Sequence, residues 1–363
     1  MKKILYLTHT PWSWIKQRPQ FLAEGLAKEF EVDVYYRKSN HLKGNLNPAP
    51  FKEGNLYVTG FRNIPWERIK SIKPEMLYPI NKVLWYFTNI NITEYDYIWV
   101  TDPLLWWLIK DKKHHAKVIY DCMDDLIAFP YYEKYPNVVD FTVSEEKTLL
   151  ETADYVFFSA QTLKDKLFLR YNIDRGYFIV NNAITDNITR YSENENRVSL
   201  PKNSFVYIGT ISEWFDFSLI IKTLNKNPHI HFVLFGPIRM SMPPQHERLI
   251  YAGTIEHNQI LEVMSKSTGL VMPFVINDLI LSVNPVKLYE YIYSGRPIAA
   301  IRYPETEKFG KHVTLYSGED EFDDFIRKAV NGDFTTNKDD MKKFALDNRW
   351  QSRCETIISI LNS

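Results

Sequence analysis

Lys287 and Glu290 stand three residues apart, directly behind Ser282, Asn284 and Pro285 and ahead of Gly295 and Pro297. On a helix that spacing places the ammonium and the carboxylate on one side, a turn apart. Asparagine is a favoured N-cap, and proline suits the first helical position because its missing donor is not needed there. Val286, Tyr289, Ile292 and Tyr293 supply an apolar face, and Gly295 followed by Pro297 ends the segment. A helix start carries unpaired amide donors and the positive end of the macrodipole, an arrangement that attracts phosphate. Lys287 would add a full charge there, and Glu290 could accept bonds from a pair of ribose hydroxyls. The same residues also fit a capped surface helix whose Lys–Glu pair is worth about 0.3–0.5 kcal/mol.

A helix of this kind needs a framework to hold its start. The chain has 363 residues, too many for one ordinary core and suited to two α/β domains. Short β-branched and aromatic runs alternate with amphipathic stretches, as in a parallel sheet with crossover helices. Strands are expected at 3–8, 32–37, 56–61, 97–101, 118–122, 155–159 and 178–180, with a helix at 18–29. Residues 183–202 are polar and lack a sustained apolar period, so 186–202 reads as a linker between an N-terminal domain, 1–185, and a C-terminal domain, 203–346. In the latter, strands are expected at 205–209, 231–235, 249–252, 269–273 and 298–301. The helix at 347–363 is expected to pack back on the first domain. The fold class is therefore α/β, with two Rossmann-like domains facing across a cleft.

Composition narrows the function classes. Lysine plus arginine equals aspartate plus glutamate at 44 each, which gives no global attraction to nucleic acid. Two cysteines make neither a disulfide framework nor a multi-cysteine zinc site. With no signal-peptide pattern and no run of 18 or more apolar residues, the expectation is a cytoplasmic protein. Aromatics and basic residues crowd 62–107, among them Trp85, Tyr86, Phe87, Trp106, Trp107 and Lys82. They fit either core packing or a surface that rests on anionic membrane or grips a lipid-linked acceptor.

The run Pro285-x-Lys287-x-x-Glu290-Tyr291 followed by Gly295-x-Pro297 resembles the donor-site signature of GT-B glycosyltransferases, the group 1 or family 4-like enzymes. Residues 207–216, with Gly209 and Thr210, resemble the first strand and loop of their C-terminal lobe. Phe235-Gly236-Pro237 resembles the next strand end, and Gly253-Thr254-Ile255-Glu256-His257 the turn whose backbone meets the nucleobase. Residues 14–23 and Tyr120-Asp121-Cys122-Met123-Asp124-Asp125 are similar to bacterial surface-polysaccharide and teichuronic-acid-type transferases. The resemblance implies a nucleotide diphosphate sugar donor of UDP, GDP or dTDP type, contacted by Gly209, Thr210, Ile255, Ser282, Asn284, Pro285, Lys287 and Glu290. Ser282 stands where many relatives carry a sugar-contacting glutamate, which shifts that role toward Asn277 or Asp278. The Arg and Lys that many relatives place after the first C-lobe strand are absent from 209–217, and Arg239 is the substitute.

Sugar transfer needs stabilisation of a departing diphosphate, which fixed dipoles and cations provide without reorganising. The expectation is therefore no cofactor and no metal. The acceptor would be a glycan or a polyprenyl-linked precursor. Asp124, then Asp121, are the candidate bases, because they follow an apolar strand and ligands gather at strand ends; either could instead cap a turn. His9, Trp12, Trp14 and Arg18 follow the first strand and are candidates for the acceptor side. Two other functions share this architecture: a non-hydrolysing nucleotide-sugar 2-epimerase and a non-catalytic nucleotide-sugar or glycan-binding assembly protein.

Overall fold

The computed structural model describes residues 1–13, 15–38, 48–62, 74–88, 90–190 and 198–363. They divide into two compact units, Met1–Asn181 with Arg353–Ser363, and Asn182–Ser352. The first contains strands β1 (Lys3–Thr8), β2 (Glu31–Arg37), β3 (Phe51–Glu53), β4 (Leu56–Phe61), β5 (Tyr97–Val100), β6 (Lys117–Cys122), β7 (Tyr155–Phe158) and β8 (Phe178–Ile179). Their order in the sheet is β3-β4-β2-β1-β5-β6-β7-β8. All pairs are parallel except β3 with β4. Central strands are apolar on both faces, as a sheet covered on both sides requires: Ile4, Leu5, Tyr6 and Leu7 have no exposure at all. Tyr6 stacks on Trp99 and Trp99 on Phe157, with ring centroids 5.4 and 5.6 Å apart, which accounts for part of the aromatic content.

The second unit contains β9 (Ser204–Ile208), β10 (His231–Phe235), β11 (Leu249–Gly253), β12 (Gly269–Met272), β13 (Ile298–Ile301) and β14 (Thr314–Tyr316). The order is β11-β10-β9-β12-β13-β14, parallel throughout. Each sheet grows outward from its first strand in one direction and then resumes on that strand's other side. That reversal sets a topological switch point between β1 and β5, and another between β9 and β12. Ligands of open α/β sheets gather outside the carboxyl ends of strands at such points.

Two short edge strands, β3 and β14, were not expected, since three residues are too few to show a period. The segment expected as a linker also differs. Ile184 and Ile188 are buried in the second unit's core, Asp186–Arg190 forms a 3-10 turn, and Val198 and Leu200 pack against the same core. These apolar residues follow no helical or strand period, so the sequence hides their burial. Arg353–Ser363, which includes most of the final helix, Trp350–Asn362, belongs to the first unit. There a Cβ on Gly25 would come within 2.2 Å of Cys354 Sγ, and Tyr97 Oη donates to Leu361 O at 2.7 Å.

The aromatic stretch is mostly core. Trp85, Tyr95, Tyr97, Trp99 and Trp106 are buried, whereas Tyr86 and Phe87 remain exposed. Trp66, Arg68, Lys70 and Lys73 lie outside the described residues.

Candidate functional site

In the second unit the helix Val286–Ser294 starts beside the carboxyl ends of β9 and β12. Burial holds it almost all round, from Leu288 through Ser294. Tyr291 sets its depth: the Tyr291 hydroxyl accepts a bond from Ile208 N at 2.8 Å, the last residue of β9. Tyr303 Oη donates to Val283 O at 3.0 Å and fixes the chain just ahead of the helix. At the start itself, the amides of Val286 and Lys287 have no partner among the described residues. Lys287 Nζ lies 2.8 Å from Glu290 Oε2, the lysine side chain 30% exposed and the glutamate 6%. The pair expected from the spacing is therefore formed, with its cation toward solvent at the positive end of the helix.

Asn284 does not cap this helix. Pro285 occupies the cap position, and Asn284 is buried with its side chain committed elsewhere. Its Oδ1 accepts from Asn182 N at 2.9 Å and its Nδ2 donates to Glu305 Oε2 at 3.3 Å. Ser282 is buried too, its hydroxyl donating to Asp278 O at 3.3 Å, so its side chain faces the protein and not a donor. Both side chains are thus committed within the protein, which the sequence does not show because a polar side chain near a helix start reads as exposed until a neighbouring segment covers it. Asn277 Oδ1 accepts from Ile280 N at 2.9 Å, and Asp278 is exposed in the same loop.

Three loops are tied to one another at the carboxyl ends of β9, β10 and β11. Gly209 N donates to Phe235 O and Gly236 N to Gly253 O, each at 2.8 Å. Arg239 N donates to Ile211 O at 2.8 Å, which carries exposed Arg239 alongside the β9 loop. Thr210 O accepts from Tyr207 Oη at 2.9 Å. Ile255 packs its side chain against the core, while Thr254 and Glu256 beside it are exposed. Gly236 has φ +140°, and a Cβ there would lie 2.0 Å from Gly209 O. Gly236→Ala is therefore expected to cost about 2–4 kcal/mol through backbone strain and overpacking, read as a lowered denaturation midpoint with unchanged m-value.

In the first unit the switch point holds His9, just after β1, and Asp102, just after β5. His9 Nδ1 is 3.5 Å from Thr101 Oγ1 and 3.8 Å from Asp102 Oδ2. Burial lowers the His9 imidazole below its ordinary value, the Asp102 carboxylate opposing and Arg37 adding to the effect. A neutral ring at pH 7 follows. Asp102 also caps the helix Pro103–Trp106 by accepting from Leu104 N at 2.8 Å. Asp102 escaped the sequence reading, although an aspartate directly after a strand was the same signal used for Asp121 and Asp124. Trp12 is half-buried and its carbonyl faces Gln20 Nε2 at 3.5 Å. Trp14 lies outside the described residues.

Arg18 and Asp121 leave the candidate site. Arg18 Nη2 meets Asp121 Oδ1 at 2.7 Å and Arg18 Nη1 donates to Val180 O at 2.5 Å, with side-chain exposures of 3% and 0% for Arg18 and Asp121. A fully enclosed, neutralised carboxylate offers neither a base nor an acceptor contact, and the guanidinium has no face left for a ligand. Asp125 is likewise tied down, by Arg170 at 2.7 Å and Lys166 at 2.8 Å; these bonds outweigh burial and hold its carboxyl below the usual range. Asp124, between them, is half-buried, and its carboxylate has no partner among the described residues. Burial pushes it up to about 7, the Arg18 cation opposing and the Asp125 and Asp121 carboxylates reinforcing.

Among the described residues no group of three or more His, Cys, Asp or Glu is arranged to hold a metal ion. A cavity of about 720 Å³ is lined by Pro297, His312, Thr314, Asn337 and Asp340. It opens at the amino ends of β13 and β14, the opposite side of the sheet from the start of the Val286–Ser294 helix, and belongs to a different part of the unit.

Two serial Rossmann-like units, each with a parallel sheet and a switch point, define the GT-B fold. Solved structures share it over their whole length. They include a sucrose-phosphate synthase from Thermosynechococcus elongatus, 12% identical, covering 100% of this chain and 98% of that one with a TM-score of 0.71. The Anabaena protein HepE, solved in complex with UDP and glucose, is 14% identical, with 100% of both chains covered and a TM-score of 0.68. The lipopolysaccharide outer core galactosyltransferase WaaB is 13% identical, covering 98% of this chain and 99% of that one with a TM-score of 0.64. No protein-family model and no curated protein sequence matches the chain.

Proposed function

We propose that this protein is a glycosyltransferase that moves a sugar from a nucleotide diphosphate donor to a glycan or lipid-linked acceptor in cell-surface polysaccharide synthesis. The start of the Val286–Ser294 helix carries the reading: partnerless amides, Lys287 and Glu290 are held at a switch point by Tyr291 and Asn284. The diphosphate binds those amides and the Lys287 ammonium, which exchanges Glu290 for phosphate oxygens and frees the carboxylate for the ribose hydroxyls. On this reading Gly209, Thr210 and Arg239 also contact the donor. The departing diphosphate then meets charge already in position, and transition-state stabilisation of this kind is worth several kcal/mol. HepE, which shares the fold and was solved with UDP and glucose, supports the class of donor.

On the acceptor side Asp124 takes the proton. The bond from the sugar's anomeric carbon to the diphosphate breaks, a bond to the acceptor oxygen forms, and the acceptor's proton passes to Asp124. His9 with Asp102 is the second reading for the base, favoured by its place at the β1–β5 switch point. On this reading the protein works in the cytoplasm, on a precursor at the inner face of the membrane. Among the described residues no helix is long and apolar enough to cross a membrane.

The test is a panel of UDP, GDP and dTDP sugars screened by thermal shift, then by transfer onto lipid-linked glycan precursors. A matching donor at a hundredfold excess over its Kd stabilises by about 2.7 kcal/mol. Lys287→Ala is expected to weaken donor binding about 10- to 100-fold, the loss of one charge-assisted contact of about 1.5–3 kcal/mol. An unchanged shift in that variant removes the diphosphate from this helix. Conversion of the donor's own sugar with no acceptor present identifies an epimerase, and binding without turnover on any acceptor identifies an assembly protein.

A further inference from the structure

We propose that the helix Pro74–Tyr86, together with Phe87, is a docking surface for an anionic lipid bilayer. Met76, Ile80, Val83, Tyr86 and Phe87 are 71%, 46%, 56%, 72% and 72% exposed. At 3.6 residues per turn these positions fall within an arc of about 120°. Among the described residues, fifteen large hydrophobics are exposed, and these five lie within twelve positions of one another. Trp85 and Asn81, on the opposite side of the helix, are buried and anchor it to the unit. Clustered exposure of this kind marks an interaction surface, and an amphipathic helix with an apolar face and basic flanks lies in a bilayer interface.

Charge selects the occupant. Lys82 borders the stripe, its ammonium 4.1 Å above the Trp107 ring and paired with Asp111. The neighbouring loop supplies Lys110, Lys112 and Lys113. Glu145 neutralises Lys110 at 2.8 Å and Asp111 offsets Lys82, whereas Lys112 and Lys113 have no acidic partner among the described residues. On the other flank, Lys38 and Arg62 line a cavity of about 320 Å³ with Phe87 and Thr88, placing two more cations where headgroup phosphates would lie. An apolar stripe between two cationic borders matches acyl chains beneath anionic headgroups. A protein partner would have to present a correspondingly acidic rim.

The surface deepens the proposed function by bringing the protein to a lipid-linked acceptor, and only its use rests on that reading; lipid binding itself needs no sugar donor. Purified full-length protein is sedimented with vesicles of phosphatidylcholine alone and of phosphatidylcholine mixed with phosphatidylglycerol. Binding is expected to the mixed vesicles, to weaken as salt rises and to be slight on the neutral ones. Tyr86→Ser with Phe87→Ser is expected to lower the partition coefficient roughly tenfold or more. Lys112→Gln and Lys113→Gln are each expected to lower it about fivefold, the effect of about 1 kcal/mol per cation at the surface. Circular dichroism melts establish that each variant folds, and Met76→Ser with Val83→Ser replaces the aromatic pair if that pair does not. Transfer to a soluble acceptor is expected to stay unchanged in these variants, while transfer to a vesicle-borne acceptor falls. No binding to mixed vesicles, or binding that ignores both sets of substitutions, overturns the proposal. So does a concentration-dependent dimer that the serine variants abolish without any vesicle binding, since the stripe then meets protein. Vesicle binding without transfer on any acceptor leaves the surface in place and removes the glycosyltransferase reading.

Discussion

Asp124→Asn is expected to lower sugar-transfer turnover by about 10²–10⁴-fold, the range a positioned general base contributes, with donor binding unchanged. The flanking aspartates are both occupied by cations, Asp121 by Arg18 and Asp125 by Arg170 and Lys166, whereas Asp124 has no such partner among the described residues. Its raised pKa makes it basic enough to take a hydroxyl proton at neutral pH. A base must be deprotonated to act, so kcat/KM in the native enzyme is expected to rise as pH climbs through about 7. The asparagine variant loses that limb. Stability moves the opposite way. Because the folded carboxyl titrates above its ordinary value of 3.8, its contribution is complete below that value and is lost as pH rises to about 7. Asp124→Asn removes that penalty, so it is expected to gain stability over the native protein at pH 8 while losing turnover. Full turnover in the variant rules out the base role; a rising limb near 7 that persists, and that vanishes in His9→Asn, transfers the role to His9 and Asp102.

Asp121→Ala is expected to destabilise the protein by about 3–5 kcal/mol, because it leaves the Arg18 guanidinium buried without its counter-ion. In a unit of this size that corresponds to a fall in Tm on the order of 10 °C. The pair also ties strand β6 to the helix Arg18–Leu26 and, through Arg18 and Val180 O, to the chain leaving β8. Replacing both partners with apolar residues of similar volume is expected to recover most of the loss, since burying two charges is itself costly. Calorimetry on the single and double variants tests this. A single variant that keeps its Tm but loses turnover would return Asp121 to the reaction.

These two aspartates stand three residues apart, and the sequence presents them alike: acids behind the same apolar strand. Periodicity located that strand, and with it nearly every other strand of both sheets, because a strand buried on both faces must be written as a continuous apolar run. It also located the helix, expected at 285–294 and found at 286–294, and its Lys287–Glu290 pair, because three-residue spacing on a helix is local geometry. The first strand of each unit, β1 and β9, was legible for the same reason.

What was decided only in three dimensions is which polar groups have partners distant in sequence. Arg18 lies 103 residues from Asp121, and Asn284 lies 102 from Asn182. No local pattern records those meetings, so Arg18, Asp121, Ser282 and Asn284 read as ligand-facing and are buried structural links. Ile184 and Ile188 were hidden likewise, since the core they enter is assembled by strands from elsewhere in the chain. The sequence thus determined the secondary structure and the order of the strands along the chain, which follow from backbone period and local chemistry. The tertiary structure decided which polar groups are consumed in holding the protein together and which, like the Asp124 carboxylate and the amides of Val286 and Lys287, keep no partner among the described residues.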